Sequence, residues 1–313
     1  MVARYHGTVS SEPRRQTVQA PDGRQLEVVS SGPEGGRCFF LHSGTPSAAG
    51  AYPPLVAELA RRDLRFVTFS RPGYAGSSAM AGRAVGDVAT DVQAILDALK
   101  IGSFFCAGQS GGGPHALACA ALLPDRVIAT ATLAGVAPLS AEGLDWLAGM
   151  GPENLEEFNA AMKGRDDLER YLEHEAATLK EIQPSDVAAS LGGLVGDVDK
   201  AAVTGGYAEF LATSFRQAVS TGIAGWRDDD IAFVNPWGFD LPSIETPVAV
   251  WQGGEDRMVP MAHGAWLAAH IPGAEPHLLP GEGHLSLALN KIGDVLDGLL
   301  AMGEAAAHPA RAS

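Results

Sequence analysis

FCAGQSGGGPHALACA, residues 105 to 120, opens as an apolar run, breaks at Gly108-Gln109-Ser110-Gly111-Gly112 and resumes as a helix-like stretch of alanines and leucines. A serine among glycines, where a strand becomes a helix, has two readings. It is either a tight turn with an idle hydroxyl, or a turn built to present that hydroxyl in a cleft. Glycines let the strand and helix approach closely, and a turn this sharp forces the serine into a strained backbone region. The hydroxyl then stands at a helix N-terminus, whose amides favour negative charge. The rest of the chain decides between the readings.

Working outward, short apolar runs alternate with helical patterns. TVQA (17–20) and QLEVVSSG (25–32) flank the turn Pro21-Asp22-Gly23 and read as a hairpin. CFFLHS (38–43), RFVTFS (65–70), SFFCAGQ (103–109) and RVIATATLAGV (126–136) are almost continuously apolar, as strands covered on both faces should be. Between them lie helical patterns at 51–62, 85–100 and 112–123; in the second, Val88, Val92, Ile95, Leu96 and Leu99 recur at helical spacing. Such alternation predicts parallel βαβ units. From 139 to 240 the strands stop and acidic, aromatic-dotted helical stretches follow. Alternation resumes with TPVAVWQGG (246–254), HGAWLAAHI (263–271), EPHLLPG (275–281) and a last helix from about Leu285 to Ala301, before a tail expected to fray. The organisation is therefore a core of residues 1–138 and 241–313, with a helical cap of residues 139–240 inserted after the sixth strand.

The chain of 313 residues, 46% hydrophobic and 19% charged, suffices for one large α/β domain with an inserted lobe. The formal charge of −15 disfavours nucleic-acid and anionic-membrane partners. Residues 140–240 hold 19 Asp and Glu against 7 Lys and Arg, so the inserted lobe carries most of that charge. The first thirty residues contain no apolar run of signal-peptide length, and no run reaches membrane-spanning length, so the expectation is a soluble, cytoplasmic protein acting on a small molecule. Cys38, Cys106 and Cys119 lie in apolar segments without CxxC spacing and read as buried thiols. No histidine pairs with a ligand partner in HExxH-like spacing, so neither a metal nor a cofactor is expected. Nothing in the sequence speaks to the oligomeric state.

With the strand-turn-helix context in place, Gly108-x-Ser110-x-Gly112 resembles the nucleophile turn of the α/β-hydrolase fold. The resemblance runs along nearly the whole chain. It implies a mostly parallel eight-stranded sheet flanked by helices, with Ser110 as nucleophile. A serine needs a base. His284, in Pro280-Gly281-Glu282-Gly283-His284, lies just past the last strand, where this fold presents its base. The other histidines (His6, His42, His115, His174, His263, His270, His277 and His308) read as structural or solvated. Asp256, in Glu255-Asp256-Arg257-Met258-Val259-Pro260, follows the seventh strand and matches the family's acid, with Glu255 as its competitor. The order Ser110, Asp256, His284 is that of the family.

The resemblance also implies an oxyanion hole from the Gly111 amide and from the loop Leu41-His42-Ser43-Gly44-Thr45-Pro46, where Thr45 is the candidate. Ser43 departs from the family's usual histidine. Phe69-Ser70-Arg71-Pro72-Gly73-Tyr74 is similar to another family turn, with Ser70 in place of an aspartate, and reads as scaffold. Pro236-Trp237-Gly238-Phe239-Asp240-Leu241 is expected to seat the lobe. A serine nucleophile sets the chain apart from relatives that attack with aspartate. The implied activity is a carboxylesterase-like serine hydrolase acting through an acyl-enzyme. The alternatives are a proline-iminopeptidase-like aminopeptidase, a C–C bond hydrolase with the same triad, and a non-hydrolytic or ligand-binding protein on the same fold. Lobe aromatics from Trp146 through Phe158, Tyr171 and Trp226 to Trp237 are candidates to line an acyl pocket.

Overall fold

In a computed structural model, which describes residues 12–307, the alternating runs form one eight-stranded sheet ordered β1-β2-β4-β3-β5-β6-β7-β8. The strands are β1 (Arg14–Gln19), β2 (Gln25–Ser31), β3 (Arg37–His42), β4 (Leu64–Phe69), β5 (Phe104–Gln109), β6 (Val127–Leu133), β7 (Val248–Gly253) and β8 (Glu275–Leu279). β1 and β2 pair antiparallel through the predicted hairpin, with Gln19 opposite Gln25, and β2 runs antiparallel to β4. Every pair from β4 to β8 is parallel.

The core helices are α1 (Pro53–Ala60), α2 (Val88–Ala98) and α3 (Gly112–Leu122). The segment after β6 contains α4 (Pro152–Lys163), α5 (Arg165–Glu181), α6 (Val187–Ser190), α7 (Asp197–Ala202), α8 (Gly205–Ala218) and α9 (Ala224–Phe233). After β7 come α10 (Met261–His270) and α11 (His284–Ala307). Among the described residues, 139–240 contains no strand. The predicted helix over 85–100 divides: Val85–Asp87 is a 3₁₀ turn and α2 starts at Val88. The last helix outruns its expected end at Ala301 and continues to Ala307, because Leu299 and Met302 still pack against the sheet.

Phe39, Phe66 and Phe105 face one side of the sheet and Phe40 and Phe104 the other, all at most 1% exposed. Each such ring stabilises the fold by roughly 1.5–3 kcal/mol on burial. That alternation of two fully covered faces is why these strands read as continuous apolar runs. Register then sets the site. His42 lies opposite Gly108, Gln109 opposite Leu133, Leu133 opposite Trp251, and Gly253 opposite Leu279. The C-terminal ends of β3, β5, β6, β7 and β8 are therefore level. The loops that follow them share one edge.

The lobe has its own apolar centres. One gathers Leu168 and Leu172 of α5 with Ala218 and Trp226, and includes Tyr74 from the core. Another joins Val187, Val195, Tyr207 and Ala212 to Leu285 at the start of α11. Trp237 is buried, and its carbonyl accepts the Gly86 N–H at 2.7 Å, which fastens the returning chain to the core. No helix among the described residues is long and apolar enough to cross a membrane.

Candidate active site

Ser110 stands between β5 and α3 with φ +53°, a left-handed backbone few non-glycine residues adopt. Such a conformation costs on the order of 1–3 kcal/mol and persists only where the surroundings impose it. Here the Ser110 N–H donates to Leu133 O at 2.8 Å, and the Gly113 N–H donates to Ser110 O at 2.8 Å. The flanking glycines leave no room for anything larger. A Cβ on Gly108 would lie 2.1 Å from Gly112 O, and one on Gly112 would lie 2.0 Å from His42 O. Close approach of three backbones is what turns the serine toward the cleft.

His284 opens α11 directly after β8, and Asp256 lies in the loop after β7. His284 Nδ1 and Asp256 Oδ2 are 2.8 Å apart, and both side chains are buried. The competing Glu255 is not at the imidazole. The Asp256 carboxylate is held from several sides: Oδ1 accepts the N–H groups of Met258 and Val259, each at 2.8 Å, and Oδ2 accepts Gln252 Nε2 at 2.9 Å. Burial by itself would lower the His284 pKa. The charge and hydrogen bond of Asp256, with a further contribution from the charge of Asp199, outweigh it and hold the pKa above 6.5. With Nδ1 engaged by Asp256, Nε2 is the nitrogen left free to act as the base.

Ser110, His284, Gly111 and Thr45 line one cavity of about 630 Å³, between the strand ends and helices of the lobe. Thr45 and Gly111 are neighbours: a Cβ on Gly111 would lie 2.4 Å from Thr45 Oγ1, and one on Gly44 would lie 3.4 Å from Ser110 Cβ. Of the lobe aromatics, Phe158, Tyr171, Tyr207, Phe210, Phe215, Trp226 and Phe233 line this cavity. Trp146 does not; it packs edge-on against Phe158 and donates its N–H to Ala137 O at 2.7 Å. Trp237 packs on Phe239 in the core.

The remaining histidines are accounted for. His42 closes β3 and is buried against Cys119 and His115. His263 accepts the Ala137 N–H at Nδ1, so its Nε2 donates to Trp146 O. His270 and His277 stack on Trp266 and Trp251, and His174 is exposed. His6 and His308 lie outside the described residues. Cys38, Cys106 and Cys119 are buried and free. Sequence spacing gave no hint that His42, Cys106 and Cys119 bring three possible metal-ligating atoms within 4.8 Å of one another. They sit in the interior, and no ligand of the cavity lining is among them.

Several residues around the site escaped the sequence reading. Arg71, read as scaffold, donates to the carbonyls of Ser43 and Gly44 and to Thr45 Oγ1, at 2.5, 2.9 and 2.9 Å, so it grips the proposed oxyanion loop itself. Arg71 and Arg83 both pair with Asp229 of α9, and Thr45 Oγ1 donates to the same carboxylate at 2.8 Å. Despite its burial, the two guanidinium charges hold the Asp229 pKa far below the usual carboxylate range. The available signal was Asp228-Asp229-Asp230 between Trp226 and Phe233. Three successive acids on a helix point about 100° apart, so in an apolar setting not all can reach solvent. Asp199, on α7, carries no comparable mark in the sequence, yet it binds the first turn of α11.

A level strand edge thus carries a serine in a left-handed turn, and the cavity that Ser110 lines is also lined by His284, whose imidazole pairs with the buried Asp256. The family model of the alpha/beta hydrolase fold matches residues 38–291, and the chain belongs to that family. Hydrolase activity is what this membership supports. The chain is similar to a non-heme chloroperoxidase of Streptomyces lividans, 24% identical over 82% of this chain and 87% of that protein. It is also similar to a 2-hydroxy-6-oxo-6-phenylhexa-2,4-dienoate hydrolase of Burkholderia cepacia, 27% identical over 80% of this chain and 82% of that one. Among solved structures, an esterase from Rhodococcus sp. ECU1013 superposes with a TM-score of 0.64 at 19% identity, covering 92% of this chain and 99% of its own.

Proposed function

We propose that the protein is a serine hydrolase that cleaves a small carboxylic ester through an acyl-enzyme. In this reading Ser110 Oγ attacks the carbonyl carbon while His284 Nε2 takes its proton. The amides of Gly111 and Thr45 receive the oxyanion. His284 then protonates the departing alcohol, and water, activated by the same base, releases the acid. Asp256 holds the imidazole tautomer and stabilises its cationic form.

The observation that carries the reading is the pairing of His284 Nδ1 with Asp256 at 2.8 Å, with His284 lining the same cavity that Ser110 lines from its strained turn. The cavity volume of about 630 Å³ is in the range of small-molecule sites. Residues 139–240 act in this proposal as a cap that excludes bulk water from the acyl-enzyme, since α4, α5, α8 and α9 all contribute to the lining.

Reaction with a fluorophosphonate followed by peptide mass analysis tests the proposal. The expected result is one adduct, on Ser110, with loss of p-nitrophenyl ester hydrolysis. Labelling elsewhere, or unchanged hydrolysis after complete labelling of Ser110, would sink it.

A further inference from the structure

The cavity that holds Ser110 is not confined to the space under the lobe. It also runs between α1 and α11, on one face of the sheet. On α11 its lining is Leu285, Ala288, Leu289 and Ile292, whose i, i+3, i+4, i+7 spacing is one stripe of the helix. On α1 the same spacing recurs in Pro54, Ala57, Glu58 and Arg61, with Leu55 beside them. Seven residues of helix advance about 10 Å, so the two stripes form the walls of a cleft about that long.

The floor of the cleft is the sheet. Leu41 of β3 is only half-buried, although its strand is paired on both sides, with Thr68 and Ala107 opposite Leu41. Its strand neighbours Phe39, Phe40 and His42 are at most 1% exposed. Interiors leave few voids larger than a water molecule, so exposure on a central strand marks a place that neither helix fills. Leu55, Ala288, Leu289 and Ile292 are half-buried as well. Below Ile292 the helices are tied together: Arg62 reaches Asp297 at 2.6 Å and the carbonyl of Gly293 at 3.3 Å. Glu58 accepts both Arg61 and Arg62 at that end. The cleft is thus apolar from Ser110 to a charged stop.

We propose that this cleft binds an unbranched alkyl chain of the substrate while its ester group lies at Ser110. The proposal rests on the ester-cleaving reading above. With C–C bonds of about 1.5 Å an extended chain advances about 1.3 Å per carbon, so about eight carbons fill the cleft. Each added methylene leaves water for contact with side chains such as Leu41, Ala288 and Ile292, until Arg62 ends the gain. The chain belongs to the acyl or to the alcohol side of the ester, and two substrate series separate these.

The p-nitrophenyl alkanoates from acetate to dodecanoate vary the acyl side, and the alkyl acetates from ethyl to decyl vary the alcohol side. In wild type kcat/KM is expected to climb in one series, by up to about fourfold per carbon, and to level off at about eight carbons. The gain from the shortest chain to the eight-carbon one should be about tenfold or more. In Ala288→Phe, whose ring enters the cleft about one turn below His284, that gain should disappear. Leu55→Trp narrows the cleft from α1 and serves if Ala288→Phe does not fold. Leu179→Phe obstructs the lobe side of the cavity instead, and should keep the gain. No climb in either series, or a climb lost in Leu179→Phe and kept in Ala288→Phe, overturns the proposal. Calorimetry with 1-octanol separates this from a failure of the ester reading. If no ester is cleaved, octanol binding that is lost in Ala288→Phe and kept in Leu179→Phe still supports the cleft. Absent binding, or binding indifferent to Ala288→Phe, overturns it.

Discussion

Asp199 Oδ2 accepts the backbone N–H of His284 at 3.0 Å, which ties a lobe helix directly to the proposed catalytic base. Asp199 Oδ1 accepts the next two N–H groups of α11, those of Leu285 and Ser286, each at 2.9 Å. The carboxylate is fully buried and sits so close to the chain that a Cβ on Gly283 would lie 2.5 Å from it. It thus satisfies three of the donors every helix start leaves open, with a charge the helix dipole favours. The same charge helps raise the His284 pKa.

Asp199→Asn retains an acceptor oxygen but removes the charge. Since the base works in its neutral form, a lower His284 pKa extends activity to lower pH. The acid limb of the kcat/KM profile is therefore expected to shift downward in Asp199→Asn. A limb that stays in place, or moves upward, contradicts the role of Asp199. Asp199→Ala removes the cap as well, and should lower stability by about 1–3 kcal/mol in urea unfolding.

Ser110→Ala should lower kcat by roughly 10⁴-fold or more while leaving the unfolding midpoint nearly unchanged, because triad members act as a unit. Retention of more than about a tenth of the activity would show that another group is the nucleophile.

The turn itself makes a stability prediction. In Gly108→Ala and Gly112→Ala the new methyl meets the carbonyl oxygens of Gly112 and His42, which are backbone atoms with no rotamer to escape to. Each should destabilise by at least about 2–3 kcal/mol. Gly298→Ala in α11 meets nothing within 4 Å. It should instead gain about 0.5–1 kcal/mol from reduced chain entropy. Urea midpoints that rank these variants otherwise would contradict the close-packed turn.

The buried rings of His42, His115 and His263 should contribute a loss of stability as pH drops from about 6.5 towards 4. Burial lowers the pKa of His42, lowers that of His263 to about 4, and, with the nearby Arg71 charge, lowers that of His115 to about 3. These rings stay neutral in the fold and take up protons only on unfolding. A depressed folded-state pKa contributes stability above the unfolded pKa and loses it below, at up to ~1.4 kcal/mol per pH unit for each ring. His284 has the opposite sign, because its raised pKa stabilises below about 6.5 and that contribution is lost as pH rises past the folded value. Thermal melts across this range provide the check. The raised pKa values of Asp230, Glu157 and Asp91 act in the opposite direction, so the test is comparative: a His263→Gln variant that loses as much Tm between about pH 6.5 and 4.5 as wild type would contradict a neutral buried His263.

Much of this protein was legible one segment at a time, because its signals are local. Continuous apolar runs mark the strands buried on both faces, and period-3.6 patterns mark the helices. The crowding of Gly108, Ser110 and Gly112 at a strand-to-helix junction marks the turn, and the halt in strand-like runs between Val136 and Pro247 marks the helical insertion. Contacts between distant segments left no such trace. Asp256 rather than Glu255 meets His284 because the β7 loop directs the Asp256 carboxylate onto the N–H groups of Met258 and Val259. Arg71, Asp229 and Thr45 converge from three separated stretches, and Asp199 reaches His284 across 85 positions. Side-chain type and spacing cannot encode which buried acid finds which partner. In a low-dielectric interior that choice is made by desolvation: a carboxylate is held where packing also delivers its donors, and Asp230, which packing leaves facing Glu157, is the one whose two oxygens both lack a donor among the described residues.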